Sequence, residues 1–173
     1  MVRATAAPND SEIGKHLANA YLHDAFGISV DAAGLSALEI YIEVMTKTPQ
    51  WINCLMAARN RAVALFGLKN LGHLNNIDAA RRPESYRVGD HIGIFSILFL
   101  SPREVILVES DKHLDAKVSL CRTDGVQGNS VVMTTVIDVH NLLGRAYIGL
   151  VWPVHKLMVP ALLARFARAR GNA

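Results

Sequence analysis

Apolar residues recur along this chain in changing rhythms, and the order of the changes predicts an architecture. Tyr21, Leu22, Ala25, Phe26, Ile28 and Val30 form a short apolar segment with a β-compatible end, read as a first strand. Asp31 is a good helix N-cap, and Leu35, Leu38, Ile42 and Met45 follow at intervals of three and four, which predicts an amphipathic helix ending before Pro49. Thr48 is placed to cap a second helix with Pro49 at its first position, where the missing N–H costs nothing. Ile52, Leu55, Met56, Val63 and Phe66 define the buried stripe of that helix, and Gly67 supplies its stop. Lys69 to Gly89 has no clear period and reads as a long loop.

From Asp90 the period becomes two. Ile92, Ile94, Leu98 and Leu100 fall on one face and Phe95, Ile97 and Phe99 on the other, so this strand is apolar on both sides. Ser101-Pro102-Arg103 makes a hairpin turn, Glu104 to Ser110 returns, and Asp111-Lys112 turns again. His113 to Cys121 alternates almost without fault, which predicts a strand with one face in water. Thr123 to Asn129 is a glycine-containing turn, and Ser130 to His140 is a last strand. After a connection from Asn141 to Gly149 comes a long helix, with Pro153 near its first turn and Pro160 where it should bend. Grouped helices followed by a run of antiparallel strands argue an α+β fold rather than a parallel doubly wound sheet. A curved antiparallel sheet, two short helices after its first strand and one long C-terminal helix across it make a helix-grip arrangement. Where side chains fail to fill the space between sheet and helix, a cavity remains.

Composition narrows this picture. At 173 residues the chain suits one domain, with residues 1–12 as a loose lead-in. Hydrophobic residues make up 51% and charged ones 19%, an apolar balance that calls for a large interior, a lined cavity or a subunit interface. The longest apolar stretch, Leu142 to Ala164, is broken by Arg145, the His155-Lys156 pair and two prolines, so no transmembrane span is expected. The N-terminus lacks the apolar run of a secretory signal, which places the protein in the cytoplasm. Cys54 and Cys121 have no CxxC spacing and read as reduced core thiols. The net charge of +3 and pI near 9.0 owe much to Arg165, Arg168 and Arg170 near the C-terminus, and no basic stripe carries interleaved aromatics, so nucleic acid is not an expected partner.

The seven histidines show no HxH or HExxH spacing, no metal or cofactor is expected, and GxSxG, P-loop and GxGxxG patterns are absent. Asp111, His113 and Asp115 would share a strand face, setting an imidazole between carboxylates; this makes His113 and Asp111 candidates for acid/base work, against the blander reading of a solvated hairpin tip. Arg145 in its apolar setting needs an acceptor, either carbonyls and carboxylates that anchor the strand-to-helix connection or an anionic ligand group. Arg59 interrupts the stripe of the second helix, and Tyr147, Trp152 and His155 lie where the last helix could face a cavity. Arg59, Arg145, Tyr147, Trp152 and His155 are thus the candidate ligand contacts.

Arg59-Asn60, Gly89-Asp90-His91-Ile92-Gly93, Asp111-Lys112-His113-Leu114-Asp115, Gly144-Arg145-Ala146-Tyr147 and Pro153-Val154-His155 together resemble a bacterial domain-of-unknown-function family grouped with the SRPBCC (START-like) superfamily. The resemblance runs from about Phe26 to Phe166 and implies the helix-grip fold. It also implies an apolar or lipid-like ligand in the cavity, since members of that superfamily bind such molecules; no catalytic motif of the superfamily maps onto this chain. The expected functions are therefore a small-molecule binding module, an enzyme of the same fold using His113 and Asp111, or a homodimer whose apolar excess lies in its interface.

Overall fold

A computed structural model describes residues 1–64, 77–78, 81–125 and 128–171. Phe66 and Gly67, most of the predicted Lys69–Gly89 loop and the side chain of Val63 lie outside the described residues. Seven strands, β1 (Arg3–Ala4), β2 (Leu22–Ser29), β3 (His91–Ile92), β4 (Phe95–Leu100), β5 (Glu104–Ser110), β6 (Leu114–Gly125) and β7 (Gly128–Val139), form one curved antiparallel sheet in the order β1-β2-β7-β6-β5-β4-β3. Helices α1 (Ala37–Thr46) and α2 (Gln50–Ala64) follow β2, and α3 (Leu142–Ala169) closes the chain. The α+β sheet-and-long-helix architecture is the one the sequence predicts.

The core lies on the inner face of the sheet. Ile28, Val105, Leu107, Leu120, Val131 and Met133 of the strands pack there with Ile40, Tyr41 and Val44 of α1 and Leu162, Leu163 and Phe166 of α3. The real N-cap of α1 is Ser36, not Asp31: its side chain accepts from the Glu39 amide at 3.3 Å, and the Glu39 carboxylate returns to the Ser36 amide at 2.7 Å. Thr48 does not cap α2; its hydroxyl donates to the Met45 carbonyl at the end of α1.

Two departures in the sheet have physical causes. The apolar segment from Asp90 is a hairpin, with β3 folding back on β4 through Gly93 at φ 60°. A bulge between Ile97 and Phe99 then changes the period. Ile97, opposite Leu107, therefore faces the inner core, while Phe99, opposite Ile106, faces outward. The second apolar face is covered by the chain itself: Ile13 is buried against Ile106 and Val136, with Ala7, Leu17 and Ala20 around them. Residues 1–12, expected as a loose lead-in, contribute to this layer. Arg3 and Ala4 pair with Gly27 and Phe26, and the amides of Glu12 and Ile13 donate to the buried Glu104 carboxylate at 2.6 and 3.2 Å. The outer face of β6 is accordingly only half in water, with Ser119 buried at its centre.

Helix α3 starts earlier than the sequence suggests. Asn141 is its N-cap, so the expected 141–149 connection is helix, and both Pro153 and Pro160 lie inside one continuous 28-residue element. By length and composition it could cross a membrane. Here its inner face, including Ile148, Val159, Leu162 and Phe166, covers the sheet, while Leu142, Leu150 and Leu157 stand exposed on the outer face. The expectation of two core thiols holds for Cys121, whose pKa burial and then the Glu104 charge push up to about 11; Cys54 is exposed on α2.

Candidate functional site

The start of α3 is pressed against the β5–β6 turn. Asn141 accepts from the Gly144 amide at 3.0 Å while its side-chain amide donates to the Lys112 carbonyl at 3.0 Å. Gly144 permits the approach, because a Cβ there would lie 2.2 Å from the His113 carbonyl oxygen. Beyond this contact, side chains of the inner sheet face and of the first half of α3 border a common space. It is a cavity of about 160 Å³.

Phe95, Ala116, Val118, Thr135 and Ile137 supply its sheet wall. Tyr147, Ile148, Val151, Trp152 and His155 supply its helix wall, while Glu109, Asp111, His113 and Arg59 stand at its margins. Arg59 ties α2 to α3, its Nε donating to the Tyr147 hydroxyl at 2.9 Å and its guanidinium carbon lying 5.3 Å from that ring's centroid. The Trp152 ring stacks on His155 with centroids 5.1 Å apart and planes 12° apart. His155 Nε2 in turn lies 3.3 Å from Asp24 Oδ1, and both side chains are largely buried.

The structure thus brings Arg59, Tyr147, Trp152, His155, Asp111 and His113 to one space and leaves Arg145 out. Arg145 is exposed, with its guanidinium carbon 5.7 Å from the Tyr21 ring centroid. The reason is helical phase: Gly144 and Ile148 face the sheet, so their neighbour points away. Arg145 is thus outside the lining of this cavity, and with its side chain on the surface Arg145→Met is expected to shift stability by less than about 0.5 kcal/mol. A loss above about 1 kcal/mol would contradict this placement.

Asp111 and His113 line the cavity without pairing. The Asp111 carboxylate accepts from the Lys112 amide at 2.6 Å, and the His113 ring lies 3.1 Å from the Asn141 side-chain oxygen. Asp115, expected beside His113, instead faces His140 at 3.4 Å on the outer surface. Among the described residues, no group of three His, Cys, Asp or Glu side chains could hold a metal ion.

Thr135 in the cavity wall, and Asp24 against the lining residue His155, escape a reading of the sequence for motifs. Asp24 stands in register with Leu22, Phe26 and Ile28, and Thr135 with Val131, Met133 and Ile137, all on inner positions of their strands. The two are directly opposite each other across β2 and β7. The signal was a polar residue occupying an apolar place in a period of two, and it becomes visible only once the two strands are known to be neighbours.

A seven-stranded antiparallel sheet under a long helix makes this an α+β domain of the helix-grip kind. Residues 16–162 match the model of a family described as a protein of unknown function, DUF2867, and the chain belongs to that family. Neither the curated proteins nor the solved structures compared contain a significant match.

Proposed function

We propose that this protein binds a small, mainly apolar molecule in the cavity between the inner sheet face and the first half of α3, and that its fold belongs with the SRPBCC superfamily. The observation that carries the reading is the cavity itself, about 160 Å³, with Phe95, Val118, Ile137, Ile148 and Val151 in its walls. Packed interiors rarely leave voids larger than a water molecule, and an apolar void of about 150 Å³ is known to take up benzene. The size therefore favours a single-ring ligand; a sterol or a long acyl chain would lie mostly outside. Arg59 at the margin suits the polar end of such a molecule. Acid–base catalysis by Asp111 and His113 is not called for, because each is held by a different group.

Toluene serves as the test probe. At ten times its dissociation constant it should stabilise the native state by about 1.4 kcal/mol, raising the melting temperature by about 3 to 6 °C. Ala116→Phe projects a ring into the space and should abolish the shift while leaving the far-ultraviolet circular dichroism unchanged. If neither toluene nor other single-ring compounds move the melting curve at millimolar concentration, the binding reading fails.

A further inference from the structure

Among the described residues of the cavity wall, one buried side-chain polar atom lacks a partner. Thr135 is 3% exposed and its hydroxyl makes no hydrogen bond, although it lines the cavity. Directly across the strand pair lies Asp24, whose Oδ1 faces His155 and whose Oδ2 is buried and likewise without a partner. Facing residues of an antiparallel pair have Cβ atoms only about 5 Å apart, so one small group can reach both oxygens. Leaving two such atoms buried and unpaired is costly, and native proteins retain that cost chiefly at sites that something else completes. Thr134 also has an unpaired hydroxyl, but it points to the other sheet face, opposite Ser119, and does not border the cavity.

We infer that the ligand of this cavity carries a hydroxyl, or another group that both donates and accepts, which donates to Asp24 Oδ2 and accepts from the Thr135 hydroxyl. This rests on the cavity being a binding site. The carboxylate is acceptor-only when ionised, and the threonine hydroxyl can do either; a ligand hydroxyl is the simplest group that satisfies both at once. Asp24 does not itself line the cavity, but it stands opposite one lining residue, Thr135, and against another, His155, whose ring at Oδ1, with Trp152 stacked upon it, holds the carboxylate in a constant place. The remainder of the ligand then lies against Ile137, Ile148 and Val151. The substrate class is thus a hydroxylated single-ring compound, with phenol as its minimal probe.

Phenol and toluene differ by a hydroxyl in place of a methyl and have nearly the same shape. A purely apolar void prefers toluene, because the phenol hydroxyl leaves water and finds nothing. The wild-type protein is expected to bind phenol at least as tightly as toluene, by calorimetry. Thr135→Val, which keeps the side-chain shape, should weaken phenol about tenfold while leaving toluene unchanged or tighter; Thr135→Ser should keep phenol. The ligand-free Thr135→Val protein should also melt about 2 to 4 °C higher, since an unpaired hydroxyl has been replaced by a methyl. A wild-type preference for toluene, or a Thr135→Val protein that melts lower and loses both probes alike, would mean that an ordered water joins the two oxygens, and the inference would fall while the apolar-ligand reading stood. If neither probe binds the wild type, both fall.

Discussion

Glu104→Leu is expected to cost about 4 kcal/mol and to lower the melting temperature by about 8 to 16 °C. The Glu104 carboxylate is 4% exposed and accepts from three groups: the Glu12 and Ile13 amides and the Ser119 hydroxyl at 2.6 Å. Leucine fills the space but offers no acceptor, so three donors are left to find water, at about 1 to 3 kcal/mol for each that stays buried. The cost is capped because the segment around Glu12 can peel away and rehydrate. Hydrogen exchange at the Glu12 and Ile13 amides should therefore rise before the sheet unfolds. Glu104→Gln retains one good acceptor oxygen and should lose about half as much. An unchanged denaturant midpoint in Glu104→Leu would show that the N-terminal layer contributes nothing to stability.

The second large effect is at Gly144. Alanine there sets a methyl 2.2 Å from the His113 carbonyl oxygen, a backbone atom that also accepts from the His140 amide at 2.9 Å and cannot simply turn aside. Helix α3 must shift off the β5–β6 turn, at a cost of about 3 kcal/mol or a fall of about 6 to 12 °C in melting temperature. The same change at Gly149 should have the opposite sign. That residue lies in the same helix, is exposed, and an added Cβ meets nothing within 4 Å. Alanine at Gly149 should stabilise by about 0.5 to 1 kcal/mol through helix propensity alone. Equal effects at the two glycines would mean that the clamp at the start of α3 does not exist.

The contrast between Gly144 and Arg145 also shows what the chain discloses in one dimension. Alternation from His113 to Cys121 and spacing in α1 report which faces meet a core, and on those the α+β order of elements was legible. Bulges are not, since nothing in the run from Phe95 to Leu100 marks the place where Leu98 becomes an extra residue. Helix phase was misjudged where apolar residues surround the axis: α3 has leucines on its outer face, so no polar stripe reveals that Arg145 points outward and Tyr147 toward the cavity. Arg59, Trp152 and His155 could be singled out as polar or amphipathic groups in apolar runs. Asp24 and Thr135 could not, because their meaning depends on strands that are distant in sequence lying side by side.

That adjacency also dictates how the molecule must be made. On one edge β2 has only the two residues of β1, while its other edge pairs along its full length with β7, from Leu22 opposite Ile137 to Ser29 opposite Ser130. Roughly a hundred residues are synthesised between the two, which at ribosomal speeds of about 5 to 20 residues per second leaves β2 waiting for several seconds or more. During that interval Phe26 and Ile28 lack the sheet they belong to, and an unpaired strand edge is the kind of surface that neighbouring chains capture. The meander of β4, β5 and β6 can form from local contacts as it emerges, but the sheet closes only when the strand made last among the seven meets one made near the beginning. Premature termination before residue 128 would thus yield no smaller version of the domain, only a chain with an exposed strand.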